Sequence, residues 1–356
     1  MILLFHPYYL PLKVPLRTSH GSISHREGYL VELRQPSGTI WSEIAPLPGF
    51  SEESLKQVER FLMVHRDQIQ ACLNRNQNPM ELRELNAAPA SVRFGISSLW
   101  YLMQAQDHKK RLVDFLNKSS ISPLPVNATL GLMRSDDAIK KVAEFHKSGY
   151  NTIKIKVGRN FDKEWEMITK LHQEFPAVTI RLDANRAWSF REAITNLQRL
   201  ETVAPEYCEE PLSQRAIHLT AKLREQVNIP LAADESVRSS KDARDLIKSH
   251  SVDVLILKPM LLGSIEEIRE IVTFAKQDDI PCVFTSSLES GVGRLITAHI
   301  ASAMSNHAMA SGLATGYMLS KDAITDEHLV CEGAFHFPDG YGIGRKPDLS
   351  IFEQEQ

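Results

Sequence analysis

The chain has 356 residues, 43% of them hydrophobic and 24% charged, the composition of a soluble globular enzyme large enough for a barrel plus an accessory domain. A formal net charge of -3 gives no sign of a nucleic-acid or membrane surface. The four cysteines, Cys72, Cys208, Cys282 and Cys331, are far apart and form no CxxC pair, which argues against structural zinc and a disulfide framework and fits a reducing cytoplasm.

The apolar start, Met1 to Leu10, lacks a basic leader and is interrupted by Pro7 and Pro11. It reads as an opening strand and not as a signal peptide. No apolar run is long enough to span a bilayer. To about residue 120 the pattern is α+β. Gly28 to Arg34 alternates as a strand does, and Gly38 to Ala45 reads as its partner across Gln35-Pro-Ser-Gly38. Helical patterns follow over Glu52 to Asn74, with Ser51 as the cap, and over Ala90 to Ala105.

From about residue 121 to 317, short apolar strands alternate with amphipathic helices. The predicted strands are Asn127–Leu132, Thr152–Val157, Thr179–Asp183, Glu206–Glu209, Leu231–Asp234, Val252–Lys258, Pro281–Ser286 and Ala308–Leu313. Their spacing of roughly 25 residues is one βα unit, and eight units imply a closed (β/α)8 barrel of the TIM type rather than an open sheet. The segment 318–356 loses the alternation and is expected to return to the first domain. Its Gly340-Tyr-Gly-Ile-Gly344 lacks the strand–helix context of a nucleotide loop and reads as a turn.

Barrel strands are buried on both faces and should be continuously apolar. Five places break that rule near strand C-terminal ends, where barrel active sites sit. Lys154 and Lys156, two apart, share one strand face, and Ile153, Ile155 and Val157 take the other. Both lysines then point into the barrel, unless the strand is an edge and they are solvated. Asp183, Glu209 and Asp234 end three consecutive strands. Each alone could cap a helix. Together they form an all-oxygen set suited to a hard divalent ion. Lys258 ends a further apolar strand, opposite Lys156, where it could also be merely solvated.

A central metal flanked by lysines suits a substrate that binds the metal through its carboxylate and loses the neighbouring proton, with the enediolate stabilised by charge. Lys156 could serve as base, since the charge of Lys154 and partial burial both favour a neutral amine. A non-catalytic carboxylate-binding barrel is the alternative of another class, although a binding module needs no base.

In order and spacing these residues resemble the enolase superfamily and its muconate-lactonising-enzyme-like subgroup, over nearly the whole chain. The resemblance implies an α+β capping domain, a modified barrel and a tail that rejoins the cap. It also implies Mg²⁺, replaceable by Mn²⁺, on Asp183, Glu209 and Asp234, with Asn185 and Glu235 orienting those ligands. Arg17-Thr-Ser-His-Gly-Ser22 with Arg26-Glu-Gly28, Glu43-Ile-Ala-Pro-Leu-Pro48, Arg181 to Trp188 and Ser286 to Gly293 are similar to the o-succinylbenzoate synthase family. That family dehydrates 2-succinyl-6-hydroxy-2,4-cyclohexadiene-1-carboxylate on the way to menaquinone or phylloquinone. The resemblance makes Lys156 the base and Lys258 the charge on the opposite face. It gives Arg17 and His20 to a lid, and substrate contacts to Ser286, Ser287 and Gly312. Ser286 and Ser287 could equally be helix caps. Dipeptide epimerases usually carry an acidic pair after strand eight, where this chain reads Gly312-Leu-Ala-Thr-Gly-Tyr317. N-acylamino acid racemases share both lysines and stay open as an alternative. Glu210 stands where several relatives have glutamine.

Overall fold

A computed structural model describes residues 1–18, 21–131, 133–214, 216–325, 327 and 329–352. The first domain opens with a three-stranded antiparallel sheet of Ile2–Thr18, Gly21–Gln35 and Gly38–Ile44, in that spatial order. Pro7 and Pro11 are tolerated because their strand lies at the sheet edge, where a missing N–H breaks no inner ladder. Gln35 pairs with Gly38 across the expected turn.

The helix predicted from Glu52 begins later, at Leu55, and runs to Asn74. Its cap is Ser54 and not Ser51, because Gln57 stands three residues on and completes a capping box. Ser51 Oγ instead accepts the Leu47 amide at 2.8 Å and holds the preceding turn. The second helix, Ala90–Asp107, lies against the third strand. Gly95 permits that approach, since a Cβ there would sit 2.4 Å from Ile44 Cγ1.

The second domain is a parallel sheet taken in sequence order: Ala128–Leu130, Thr152–Lys156, Thr179–Asp183, Cys208–Glu209, Leu231–Ala233, Val254–Leu257 and Cys282–Phe284. The predicted eighth strand shrinks to a bridging segment. Ser311 pairs with Val126 and Gly312 with Thr285, so two residues close the barrel. The approach is tight: a Cβ on Gly312 would lie 2.5 Å from Thr285 Oγ1. The fourth strand covers only Cys208–Glu209, although Glu206 N still donates to Ile180 O and Tyr207 O still accepts from Leu182 N.

Inside and outside alternate as the pleat requires. Ile153 and Ile155 join the apolar layer beneath the helices. Tyr207, Ala232, Val254, Ile256 and Val283 form a separate apolar cluster, the packed barrel interior. Below the polar rim, Arg181 is fully buried, with its Nε 2.5 Å from Glu206 Oε2 and its guanidinium 4.8 Å over the Tyr207 ring.

After the barrel, Leu319 bridges Leu12, and Ser320 N donates to Pro11 O at 2.9 Å. Val330–Cys331 and Ala334–Phe335 form a small sheet with Leu124–Pro125. Gly340, Gly342 and Gly344 all have positive φ, and Gly342 exchanges hydrogen bonds with Lys110 and Leu112. Among the described residues no helix is long and apolar enough to cross a membrane.

Candidate active site

The polar residues gather at the C-terminal ends of barrel strands two to six. Lys154 and Lys156 are half-buried while Ile153 and Ile155 between and beside them are buried, the alternation of one strand with two faces. Lys154 Nζ lies 3.0 Å from Asp183 Oδ2 and is also paired with Glu209. Lys258, from across the barrel, is paired with Asp234. All three acids are buried.

Burial works against a charge on Lys154, but Asp183, Glu209 and Asp234 outweigh it and raise its pKa well above the ordinary lysine value. Lys154 is therefore a fixed cation. Burial likewise opposes ionisation of Asp183, yet Lys154, Lys156 and Lys258 together lower its pKa. Glu209 goes the other way. Burial, reinforced by Asp183 and Asp234 and opposed by Lys154, raises it to about 7. The rim holds more negative charge than its ammoniums comfortably satisfy.

Lys156 reaches in a different direction. Its Nζ donates to Asn185 Oδ1 at 3.1 Å, and Asn185 Nδ2 donates to Glu235 Oε1 at 3.3 Å. Asn185 N also donates to Asp183 Oδ1 at 3.1 Å. Asn185 takes a left-handed backbone, φ 42°, to make these contacts, one of the few residue types that do so cheaply. Glu235 Oε2 is buried without a hydrogen-bond partner, and burial followed by the charge of Asp234 raises Glu235 to about 7.

Among the described residues no three His, Cys, Asp or Glu side chains are drawn into a ready-made metal cage. The donor set nevertheless fits a divalent ion. It offers three buried carboxylates on adjacent strands, oxygen only, whose present partners are ammonium groups competing for the same lone pairs.

Glu210 supports this rim. Its Oε1 accepts from Asp234 N at 3.0 Å and Ser236 N at 2.7 Å, and its Oε2 accepts from Ser236 Oγ at 3.0 Å and Arg186 Nε at 3.3 Å. A carboxylate meets four donors here. An amide would turn its NH₂ toward some of them, which gives a physical sense to glutamate at this position.

The structure separates the other expected residues. Ser286 Oγ accepts from Leu288 N at 2.9 Å and from Thr315 Oγ1 at 3.0 Å and donates to Glu289 Oε2 at 3.2 Å, so its hydrogen bonds are already spent within the protein. Ser287 Oγ is buried with no partner. Neither caps the following helix, Gly291–Met304; Ser290 does. Gly312 N donates to Phe284 O at 2.8 Å and is spent on barrel closure. Arg17 lies on the first strand opposite Ser22, and His20 falls outside the described residues.

Two further contributions, Phe50 from the first domain and Arg238 from the barrel, carry no motif of their own. Phe50 lines a small cavity of about 10 Å³ together with Asp234, Glu235 and Lys258, so the first domain reaches the rim beside Lys258. Arg238 joins the two, donating to Phe50 O and, at 2.9 Å, to Glu235 O.

Residues 137–351 match the enolase C-terminal domain-like family. The chain belongs to the enolase superfamily. Residues 3–102 match the MenC N-terminal domain. An o-succinylbenzoate synthase of Listeria innocua is 26% identical over 97% of this chain and 93% of its own. A D-Ala-D/L-Ala epimerase of Cytophaga hutchinsonii is 27% identical over 82% of this chain and 80% of its own. The solved dipeptide epimerase of Enterococcus faecalis, complexed with Mg and the dipeptide L-Leu-L-Tyr, superposes with a TM-score of 0.83 at 22% identity, covering 97% of this chain and 98% of its own. Superfamily membership thus comes with relatives of more than one reaction.

Proposed function

We propose that this enolase-superfamily chain is an o-succinylbenzoate synthase, a carbon–oxygen lyase that removes water from 2-succinyl-6-hydroxy-2,4-cyclohexadiene-1-carboxylate. The observation that carries the reading is the division of labour among the lysines. Lys154 is locked to Asp183 and Glu209, Lys258 is paired with Asp234, and Lys156 makes its hydrogen bond to a neutral amide. One amine is therefore free of a carboxylate partner among the described residues, as a single-base reaction requires. The match to a MenC-type first domain supports the same choice.

In this reading Lys156 takes the proton from the ring carbon that bears the carboxylate. The electron pair left behind forms the new ring double bond as the C–O bond at the neighbouring carbon breaks. Lys156 then returns the proton to the departing hydroxide, so water leaves and the ring becomes aromatic. Lys258 faces the developing negative charge from the other side. Asp183, Glu209 and Asp234 would hold Mg²⁺, with Mn²⁺ as a substitute, and Asn185 and Glu235 would orient the rim around it. A divalent ion bound there supplies positive charge beside the substrate carboxylate. Of the two serines expected to meet a substrate carboxylate, Ser287 is the one whose hydroxyl has no partner, so the role falls to it. The four unpaired cysteines support a reducing, cytoplasmic setting.

A second reading has its own support. Lys156 and Lys258 approach from opposite sides, the arrangement that epimerases and N-acylamino acid racemases need, and the D-Ala-D/L-Ala epimerase relative points the same way. Incubating dipeptides and N-succinyl amino acids with the enzyme in D₂O separates the two. The lyase reading expects slow exchange or none at the α-carbon; rapid exchange on one of these substrates, faster than dehydration, would favour the epimerase or racemase.

A further inference from the structure

The turn after barrel strand seven is held by the first domain. Glu43, on the third strand of the first sheet, is fully buried. Its carboxylate accepts from Tyr8 OH at 2.6 Å, from Ser290 N at 2.8 Å, from Gly293 N at 2.7 Å and from Ser290 Oγ. Ser290 is the N-cap of the helix Gly291–Met304, so a carboxylate 247 positions away in sequence satisfies amides that a helix start leaves open.

Arg26, on the neighbouring strand and equally buried, donates from Nε to Leu288 O at 3.0 Å. Its other nitrogens bind Pro46 O and Ala45 O, each at 3.0 Å, on the segment that leads out of the Glu43 strand. Leu288 sits at φ 59°, a conformation that a leucine keeps only when its surroundings impose it. Glu289, also buried, accepts from Ser287 N at 2.5 Å and from Thr297 Oγ1 at 3.1 Å. Among the buried side-chain atoms described in this turn, Ser287 Oγ is the one without a partner.

We infer that Glu43 and Arg26 are positioning residues, through which the first domain fixes the Ser286–Ser290 turn and keeps the Ser287 hydroxyl where a carboxylate substrate meets it. The substrate half of this statement rests on the reading of Ser287 given above; the mechanical half does not. Neither residue touches substrate. Their effect passes through the backbone of the turn, and it makes the relative placement of the two domains part of the substrate site.

The test is hydrogen–deuterium exchange on the full chain, comparing the parent with Glu43→Gln. Glutamine keeps the shape but presents an NH₂ to a set of donors. The expected result is faster exchange confined to peptides covering 287–293, with the barrel strands unchanged. Unchanged exchange there, or a uniform rise across the molecule, would overturn the mechanical claim. Should Glu43→Gln fail to fold, Tyr8→Phe removes one hydrogen bond to the same carboxylate and should give a smaller local rise. Kinetics test the other half. Ser287→Ala and Glu43→Gln should each raise KM on the order of tenfold, with little change in kcat, and the double variant should be no worse than either single one. If Ser287→Ala leaves KM untouched, Ser287 is not a substrate contact. If Ser287→Ala raises KM and Glu43→Gln does not, or if the two effects add, Glu43 does not position it.

Discussion

Lys154 Nζ lies 3.0 Å from Asp183 Oδ2 and bridges on to Glu209, so a lysine occupies the side of the rim where a divalent ion would share the same oxygens. Removing it leaves two buried acids against each other. Lys154→Met should therefore cost stability in metal-free buffer, about 3–5 kcal/mol as for other broken buried pairs. The same variant should gain more from added Mg²⁺ than the parent does, since no ammonium competes. Denaturant melts of both proteins with and without Mg²⁺ check this. An equal Mg²⁺ effect in the two would show that Lys154 and the ion do not share ligands.

The two lysine faces should be unequal. Lys156→Ala should lower the dehydration rate by on the order of 10² to 10⁴ or more, since it removes the base proposed for the reaction. Lys258→Arg keeps the positive charge and should retain a measurable fraction of activity, although a planar fork replaces a compact ammonium. Single-turnover rates for both variants decide the point. Near-parent dehydration by Lys156→Ala would remove it from the mechanism.

Much of this was legible in the sequence. The alternation of Ile153, Lys154, Ile155 and Lys156 could place two lysines inward because a strand has a period of two, and acids at three successive strand ends could share a rim. The cap of the first helix was misplaced by three residues because Ser51 and Ser54 both suit the role and only the Gln57 side chain selects between them. The eighth strand reads as a full strand in pattern, yet close contact at Gly312 leaves it two bridging residues. Glu43 stood in a segment that could be flagged but not assigned. Its partners in the barrel lie 247 and 250 residues away, and no local pattern encodes a contact between domains.

His299 gives a pH signature away from the site. It is fully buried, its Nδ1 accepts from Val113 N at 3.2 Å, and burial pushes its pKa down to about 3. The folded protein thus holds it neutral, while the unfolded chain protonates it below about 6.5. Its contribution is fully present above that pH and is lost as pH falls toward about 3, by about 1.4 kcal/mol per unit. His299→Gln keeps an acceptor for Val113 and does not titrate. Its urea stability should fall less steeply than the parent's between about pH 6 and pH 4. Parallel curves would show that another group governs acid unfolding.

Helix Ala90–Asp107 and strand Gly38–Ile44 should tolerate no side chain at Gly95, where a Cβ would lie 2.4 Å from Ile44 Cγ1 and 2.7 Å from Glu43 O. Gly95→Ala should destabilise by about 1–3 kcal/mol or more despite alanine's better helix propensity. A stability equal to or above the parent's, measured by urea titration, would contradict this packing.

The central claim is that the rim of Asp183, Glu209, Asp234, Lys156 and Lys258 dehydrates the cyclohexadiene carboxylate with the help of a divalent ion. The most direct measurement is the rate of o-succinylbenzoate formation from that substrate by the parent and by Asp234→Asn, each after exhaustive chelation and again after Mg²⁺ is restored. The variant keeps the side chain's shape and removes one negative charge. The parent should be inactive after chelation and recover fully with Mg²⁺, and Asp234→Asn should require on the order of 10- to 100-fold more Mg²⁺ for half-recovery while its fold survives. Undiminished turnover in the chelated parent, or no product from the Mg²⁺-loaded parent, would contradict the account.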